Sequence, residues 1–272
     1  MSESIIVPKI APRYDGRLVE ARDYLARIAA RSPKTPAPEG LRELHLAHLR
    51  AVPFENLDIY RGVPIVLERD RILKKVVADR RGGFCYELNT AFHWLLTELG
   101  YRVTLLSAEV ARPEGGFGIP FDHMTLLVEI DGDAWLADVG FGESFLHPLR
   151  FVEGEAHDEP EYRYRLTRHE PYWHLERAPR DQDDYAVQYR FTTAPRRLAD
   201  YRGGCEYHQT SPESTFSQKV VATRALEDGR VTVTRDRVIL RQGTNRIETP
   251  LADDEAFRSA LARHFGIHLE DV

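Results

Sequence analysis

The chain of 272 residues is long enough to bury a core without disulfides or bound metal, and it could form one large domain or about two to three small ones. Its 42% apolar and 29% charged residues exclude the disordered, collagen-like and coiled-coil classes. The formal net charge of -6, with arginines interspersed among carboxylates, argues against an extended nucleic-acid surface and leaves room only for a local basic pocket for an anionic cofactor.

The cysteine content and the hydropathy of the chain predict its compartment. Cys85 and Cys205 are the only two cysteines and form no CxxC pair, so neither a disulfide framework nor a zinc knuckle is expected. The N-terminal stretch MSESIIVPKI is not apolar enough for a signal peptide, and no later run approaches the roughly 20 apolar residues that cross a bilayer. The sequence therefore predicts a cytoplasmic protein with no metal and no membrane contact.

Apolar residues recur at helical spacing through the first 100 or so residues, in segments at 18–28, 41–49 and 72–77. A fourth helical segment, FCYELNTAFHWLLTELG, follows the pair Gly82-Gly83, where a turn is expected, and ends at Gly100. Cys85 is therefore predicted in the first turn of a fourth helix.

Strand patterns replace the helical ones from about residue 102 to about residue 192. VTLLSAEV comes first, and MTLLVEI and AWLADVGF then flank Asp131-Gly132, a two-residue hairpin signal. Later segments such as YRYRL, WHLERA and YAVQYRF alternate apolar with polar residues, which is typical of a sheet with one wet face. A β-barrel or sandwich is expected.

The last 70 or so residues read as a small α/β piece. A turn is expected around Gly203-Gly204, followed by the strand patterns VVATRAL and RVTVTRDRVILRQ and by an amphipathic helix near 254–265. We find no internal repeat, so the order of the patterns predicts three consecutive subdomains, at 1–100, 101–203 and 204–272.

Cys85 is a candidate nucleophile because of its predicted position. At a helix N-terminus the unpaired N–H groups and the macrodipole favour a thiolate. The alternative is a buried structural cysteine, the commoner role in cytosolic proteins.

A thiolate nucleophile needs a base, and the base needs an acceptor that orients it. Counting back from the hairpin turn pairs 123 approximately with 140 and 138 with 125, and strands about 4.8 Å apart would bring His123 and Asp138 within reach. A local hydrogen bond for His123 and a turn or capping role for Asp138 are the alternatives. An aspartate inside an apolar strand needs a partner, however, so the three residues together predict a Cys-His-Asp acyl-transfer site.

Other chemistries fit the same residues less well. A metal site at the three candidates would lack the close ligand pairs typical of zinc. Cys205 is expected to be structural or free, and GGFG at 115–118 is expected to be a flexible loop, since no helix follows it to cradle a phosphate.

Four motifs resemble the arylamine N-acetyltransferases: PFENLDI (53–59), RGGFCYELN (81–89), DHMTLLV (122–128) and WLADVGFG (135–142). Similar segments continue through nearly the whole chain, at LRELHLAHLRAVPFENL, TSPESTF and RVTVTRDRVIL.

The resemblance implies an α+β fold in three parts, namely an N-terminal helical bundle, a central antiparallel β-barrel and a C-terminal α/β lid. It also implies a Cys85-His123-Asp138 core similar to that of papain-like and transglutaminase folds, acetyl-CoA as co-substrate, and a ping-pong reaction through an acetyl-cysteine. Small aromatic amines or hydrazines are the implied acceptors, with a role in xenobiotic metabolism.

The resemblance also points to binding residues. Phe54, Phe141 and Phe216 are implied to line the acceptor pocket, although each could equally be a core aromatic. Residues implied to contact coenzyme A are Gly140, Thr210 and Ser211, although TSP could be an ordinary turn.

One position departs from the family, since threonine often precedes the catalytic histidine and Asp122 stands here. A carboxylate there would raise the pKa of His123 if close, and would disfavour coenzyme A phosphates if it faced their channel. Other functions stay open: a hydrolase or transglutaminase-like enzyme with the same triad, an amide synthase that releases a carrier-bound or polyketide acyl chain, and a binding module without catalysis.

Overall fold

The computed structural model describes residues 18–243 and 245–269, and the first third of this range is mainly helical. The elements are α1 (Ala21–Arg27), α2 (Pro38–Ala51), β1 (Phe54–Glu55), α3 (Leu57–Tyr60), α4 (Arg69–Leu73), a π-helical turn (Lys74–Ala78) and α5 (Cys85–Glu98). The first predicted helix began too early, since Leu18 precedes α1 and is 71% exposed. Asp23 accepts a hydrogen bond from the Glu20 backbone N–H, and this cap makes the helix begin at Ala21.

Helix α5 is the predicted fourth helix, and its N-terminus is held by close backbone packing. A Cβ on Gly82 would lie 2.0 Å from the carbonyl oxygen of Pro53, so only glycine lets the chain pass there. Glu87 then accepts a hydrogen bond from the Phe84 N–H at 3.2 Å, and its other oxygen lies 2.7 Å from Lys75 Nζ. These contacts fix the first turn of α5, where Cys85 lies.

An eight-stranded antiparallel sheet follows and curves into a nearly closed barrel. Its strands are β2 (Arg102–Val110), β3 (His123–Ile130), β4 (Asp133–Ala137), β5 (Leu149–Arg150), β6 (His157–Asp158), β7 (Tyr162–His169), β8 (Tyr172–Pro179) and β9 (Ala186–Phe191). Their order is β5-β4-β3-β2-β9-β8-β7-β6. The expected barrel or sandwich is therefore a barrel.

The β3–β4 hairpin has the predicted register. Ile130 pairs with Asp133 and Leu126 with Ala137, and both turn residues have positive φ, 51° at Asp131 and 90° at Gly132. Such a turn matches the right-handed twist of the strands. The register continues towards the predicted pairs, although β4 ends one residue before Asp138.

The two faces of β2 and β3 contribute to different cores. Leu105, Met124 and Leu126 pack in one cluster with the apolar face of α5, whereas Leu106 and Ala108 face the barrel interior. Since side chains alternate across a strand, one hairpin serves both cores. Helix α5 therefore lies directly on the strand that begins with His123.

The C-terminal part combines short helices, a second sheet and a final helix. A 3₁₀ turn (Leu198–Tyr201) precedes α6 (Arg202–Thr210), α7 (Thr215–Gln218), β10 (Val221–Leu226), β11 (Gly229–Thr234), β12 (Arg237–Gln242), β13 (Asn245–Pro250) and α8 (Asp254–Phe265). The turn expected around Gly203-Gly204 is wrong, because both residues lie inside α6. Gly204 is small for packing, since a Cβ there would lie 2.5 Å from the Phe121 carbonyl oxygen.

The second sheet joins residues from distant parts of the chain, in the order β1-β10-β11-β12-β13. Phe54 pairs with Thr223 and Glu55 with Ala222, so the PFENL motif forms an edge of the C-terminal sheet. Within the described ranges, no helix combines the length and apolar character that spanning a membrane requires.

Candidate active site

A cavity of about 670 Å³ opens where α5, the start of β3 and the α6–α7 segment meet. Cys85 and His123 line it, together with the loop that follows β4. A second cavity of about 720 Å³ lies beside α1, and among the described residues no cysteine or histidine lines it. The first cavity is therefore the candidate site for nucleophilic chemistry.

Cys85 is the first residue of α5 and is only 3% exposed. Burial, followed by the nearby Asp122 carboxylate, raises the pKa of the Cys85 thiol well above its usual value, while a backbone hydrogen bond with Met124 acts in the opposite direction. The thiol at the start of α5 is therefore in surroundings that favour its protonated form. A thiolate here requires a partner in the same cavity that takes the proton.

His123 can be that partner. Its Nε2 lies 2.6 Å from Asp138 Oδ2, and both side chains are buried. Because the Asp138 carboxylate only accepts, Nε2 carries the proton, and Nδ1 is the basic nitrogen of the neutral ring. The imidazole is therefore fixed in the tautomer that can accept a proton at Nδ1.

Asp138 is surrounded by hydrogen-bond donors. Its Oδ1 accepts from Asn89 Nδ2 at 3.0 Å and from the Gly140 N–H at 2.9 Å, and its Oδ2 accepts from His123 and from the Tyr189 hydroxyl at 3.1 Å. Burial alone would raise the pKa of Asp138, but the attraction to the His123 imidazolium that forms when the ring is protonated, and the hydrogen bonds from His123, Asn89 and Gly140, outweigh burial and lower the pKa below its ordinary value. Asp138 is therefore ionised at neutral pH.

Asn89 is a site residue that the sequence reasoning missed. It lies one turn after Cys85 on α5, and it donates to Met124 O at 2.6 Å as well as to Asp138. Its Oδ1 accepts from the Val139 N–H at 3.0 Å. The signal was present, because an asparagine four residues after a candidate nucleophile shares its helix face.

His45 is a second missed residue, on α2. Its Nε2 accepts from the Asp138 backbone N–H at 3.1 Å, and its Nδ1 donates to Leu146 O at 2.9 Å. Burial lowers the pKa of His45 to about 4, so the ring is neutral and both nitrogens are satisfied. Nothing in the local sequence of α2 distinguishes this histidine from a core residue.

Comparisons with known proteins identify the family of this chain. The sequence profile of the N-acetyltransferase family matches residues 39–272. The arylamine N-acetyltransferase of Gallus gallus named pineal gland isozyme NAT-10 is 32% identical, with 91% of this chain and 94% of that protein covered. The chain belongs to the arylamine N-acetyltransferase family.

Solved structures of the arylamine N-acetyltransferase family share the fold. The enzyme from Salmonella typhimurium superposes with a TM-score of 0.86 at 30% identity, covering 93% of this chain and 92% of that one. The Mycobacterium marinum enzyme in complex with CoA has a TM-score of 0.83 at 32% identity, covering 91% and 93%.

The three aromatic residues predicted for the acceptor pocket come together in this family member. Phe54, Phe141 and Phe216 all line the cavity. The ring centroids of Phe54 and Phe216 are 5.9 Å apart, and that of Phe141 is 5.2 Å from His123. Together they form an aromatic wall of the cavity, beside the buried polar groups.

Of the three residues predicted to contact coenzyme A, one lines the cavity and two do not. Gly140 lines the cavity, and a Cβ there would lie 2.8 Å from Cys85 Cα. Thr210 and Ser211 are not part of the lining, and the Thr210 hydroxyl donates to Glu206 O at 2.8 Å within α6. The serine and threonine that do line the cavity are Ser214 and Thr215.

Asp122, the departure from the family, also lines the cavity. Its Oδ2 accepts from the Val110 N–H at 3.1 Å, and its Oδ1 lies 3.1 Å from His208 Nε2. Its side chain is thus engaged with β2 and α6.

A possible cation-binding group lies elsewhere among the described residues. The ligand atoms of His169, His174 and Glu176 lie within 4.8 Å of one another. Glu176 already accepts hydrogen bonds from Arg165 at 2.7 Å and Thr167 at 3.0 Å, and none of these residues lines the cavity. This group therefore lies apart from the side chains of the cavity.

Proposed function

We propose that this chain transfers the acetyl group of acetyl-CoA to arylamines, arylhydrazines or related amines through an acetyl-cysteine at Cys85. The 2.6 Å contact between His123 and Asp138, beside Cys85 in one cavity, is the observation that carries the proposal. Membership of the family, and the CoA bound to the Mycobacterium marinum relative, support acetyl-CoA as the donor. The catalytic core for this reaction is similar to that of papain-like and transglutaminase folds.

Acetylation is the first half of the proposed reaction. The Cys85 thiol gives its proton to His123 Nδ1 while its sulfur attacks the thioester carbonyl of acetyl-CoA. The Cys85 backbone N–H, in the first turn of α5, donates to the oxyanion of the tetrahedral intermediate. The intermediate collapses, the C–S bond to coenzyme A breaks, and the leaving thiolate takes the proton from His123.

Transfer to the amine is the second half. The amine nitrogen attacks the acetyl-cysteine carbonyl and loses its proton to His123, after which the Cys85 thiolate leaves and is reprotonated. Asp138 stays ionised throughout, holds the ring by Nε2 and stabilises the imidazolium. The lowered pKa of Asp138 supports this role.

The aromatic wall supports planar acceptors, because flat rings stack favourably on aromatic side chains. Coenzyme A is proposed to bind beside Gly140 in the cavity and to contact Thr210 and Ser211 nearer the surface. Broad use of small aromatic amines would suit xenobiotic metabolism, and the cytoplasmic location stays a prediction.

Intact-protein mass spectrometry after mixing with acetyl-CoA tests the function directly. One acetyl mass should appear on Cys85 and disappear when an arylamine is added. If acetyl-CoA gives no adduct while a carrier-bound acyl thioester does, the protein is instead an amide synthase. Loss of the adduct to water as fast as to amine would indicate a hydrolase.

Phe141→Ala should raise the KM for an arylamine about tenfold and that for acetyl-CoA less than threefold, since a partly buried aromatic contact contributes about 1.5 kcal/mol. Steady-state kinetics with each substrate varied in turn measures both constants. Phe151→Ala is a suitable control, because Phe151 packs on the barrel and does not line the cavity. Equal changes in the two constants would contradict an acceptor role for Phe141.

A further inference from the structure

A chain of hydrogen bonds runs along one side of the cavity, from the residue before His123 to the backbone of Phe216. His208 Nε2 lies 3.1 Å from both Asp122 Oδ1 and Asp122 O. His208 Nδ1 lies 3.1 Å from Ser214 Oγ, and Ser214 Oγ accepts from the Phe216 N–H at 3.2 Å. The chain thus joins the start of β3 to the aromatic wall through α6.

The direction of each hydrogen bond follows from the groups at its ends. Because the carbonyl and carboxylate oxygens of Asp122 only accept, His208 Nε2 carries a proton. In the neutral ring Nδ1 then accepts from the Ser214 hydroxyl, whose oxygen accepts from Phe216. Both ring nitrogens of His208 are therefore occupied, and neither is available to a substrate amine.

Burial protects these bonds from competition by water. The side chains of His208 and Asp122 are 7% and 12% exposed, and Ser214 is 2% exposed. The His208 ring also packs edge-on against Phe216, with centroids 5.1 Å apart. Phe216 is thus held twice, through its backbone by Ser214 and through its ring by His208.

Gly204 explains how α6 comes close enough to form this chain. It lies one helical turn before His208, and a Cβ there would lie 2.5 Å from Phe121 O and 2.6 Å from Tyr86 Oη. Helix α6 therefore packs directly on the residues that precede His123. This packing gives a structural reason for aspartate at position 122. The threonine side chain is shorter, so its hydroxyl would not reach His208 Nε2 as the Asp122 carboxylate does.

We propose that Asp122, His208 and Ser214 are positioning residues that hold Phe216 in place and so determine acceptor specificity, and that the link from His208 through Ser214 to Phe216 does not act in the acetylation of Cys85. This inference rests on the proposed function, since it assigns Phe216 to the acceptor wall. The inference predicts different effects on the two half-reactions, because only the transfer to the amine uses the aromatic wall.

The test compares two acceptors and the acetylation step in His208→Leu. Because one buried hydrogen-bonded link is lost, we expect the KM for aniline to rise about tenfold. Acetylation of Cys85, followed as release of CoA in a single turnover, should stay within about threefold of the parent, and so should transfer to hydrazine, which has no ring. Glu206→Gln, an exposed change on the same helix, should alter none of these values.

Ser214→Ala is the second variant, and it removes only the hydroxyl that links His208 to Phe216. It should change the same quantity in the same direction, and it replaces His208→Leu if that protein does not fold. An unchanged KM for aniline, or equal losses with aniline and hydrazine, would overturn the positioning role. A fall in acetylation as large as the rise in aniline KM would also overturn it.

Binding of aniline to the unacetylated protein keeps this inference separate from the proposed function. Calorimetry should give a Kd for aniline about tenfold weaker in His208→Leu than in the parent. A parent that forms no acetyl adduct would overturn the proposed function, whereas a Kd that His208→Leu leaves unchanged would overturn the positioning role.

Discussion

Cys85→Ser should lower kcat/KM by about 10⁴-fold or more and abolish the acetyl adduct. A hydroxyl ionises far less readily than a thiol, and removing a covalent nucleophile costs the most of any single change in such a site. Burial makes the loss more severe, since it already raises the pKa of the Cys85 thiol and would act on an alkoxide in the same way. Intact mass after acetyl-CoA, together with steady-state kinetics, measures both effects.

Cys205→Ser is the matched control, because Cys205 is as buried as Cys85 yet does not line the cavity. Its thiol lies 3.2 Å from Gln209 Nε2, a contact that a serine hydroxyl can keep, and burial raises its pKa to about 12. Activity should stay within about threefold of the parent, since Cys205 lies away from the cavity and serine is of similar size and keeps the contact with Gln209. An acetyl adduct that persists in Cys85→Ser, or that depends on Cys205, would contradict the assignment of the nucleophile.

Asp138→Asn should lower kcat/KM by about 10³- to 10⁴-fold in a protein that still folds, as expected when the orienting carboxylate of a triad is replaced. If the new amide nitrogen faces His123, it donates to Nε2, and the proton moves to Nδ1, where Cys85 needs an acceptor. If the amide nitrogen instead takes the place of Oδ1, it faces Asn89 Nδ2 and the Gly140 N–H, which are both donors, and those hydrogen bonds are lost. The first orientation costs fewer hydrogen bonds and leaves the ring in the wrong tautomer.

Kinetics and thermal unfolding of the same preparations separate this effect from a loss of structure. Tyr189→Phe is the control, because it removes one of the donors to Asp138 and keeps the ring and the tautomer of His123. It should cost no more than about tenfold, in line with the loss of a single hydrogen bond. A loss below tenfold in Asp138→Asn would show that Asp138 does not orient His123.

Local sequence determined the parts of the site that depend on near neighbours. The helical spacing after Gly82-Gly83 predicted α5 with Cys85 in its first turn, and the Asp131-Gly132 turn predicted the register that brings His123 to Asp138. These features follow from residues within about 10 to 20 positions of one another, where the periods of helix and strand and the turn residues decide the structure. The subdomain boundaries at 100 and 203 stay predictions.

Tertiary structure alone decided which distant side chains complete the site. Phe54 pairs with Thr223 across the chain, His45 reaches the backbone of Asp138 from α2, and His208 reaches Asp122 from a segment that the sequence predicted as a turn. Each contact depends on how closely two elements pack, as at Gly204 against Phe121. Periodicity assigns a residue to a face of its own element, but the partner of that face is set by the packing of the whole chain.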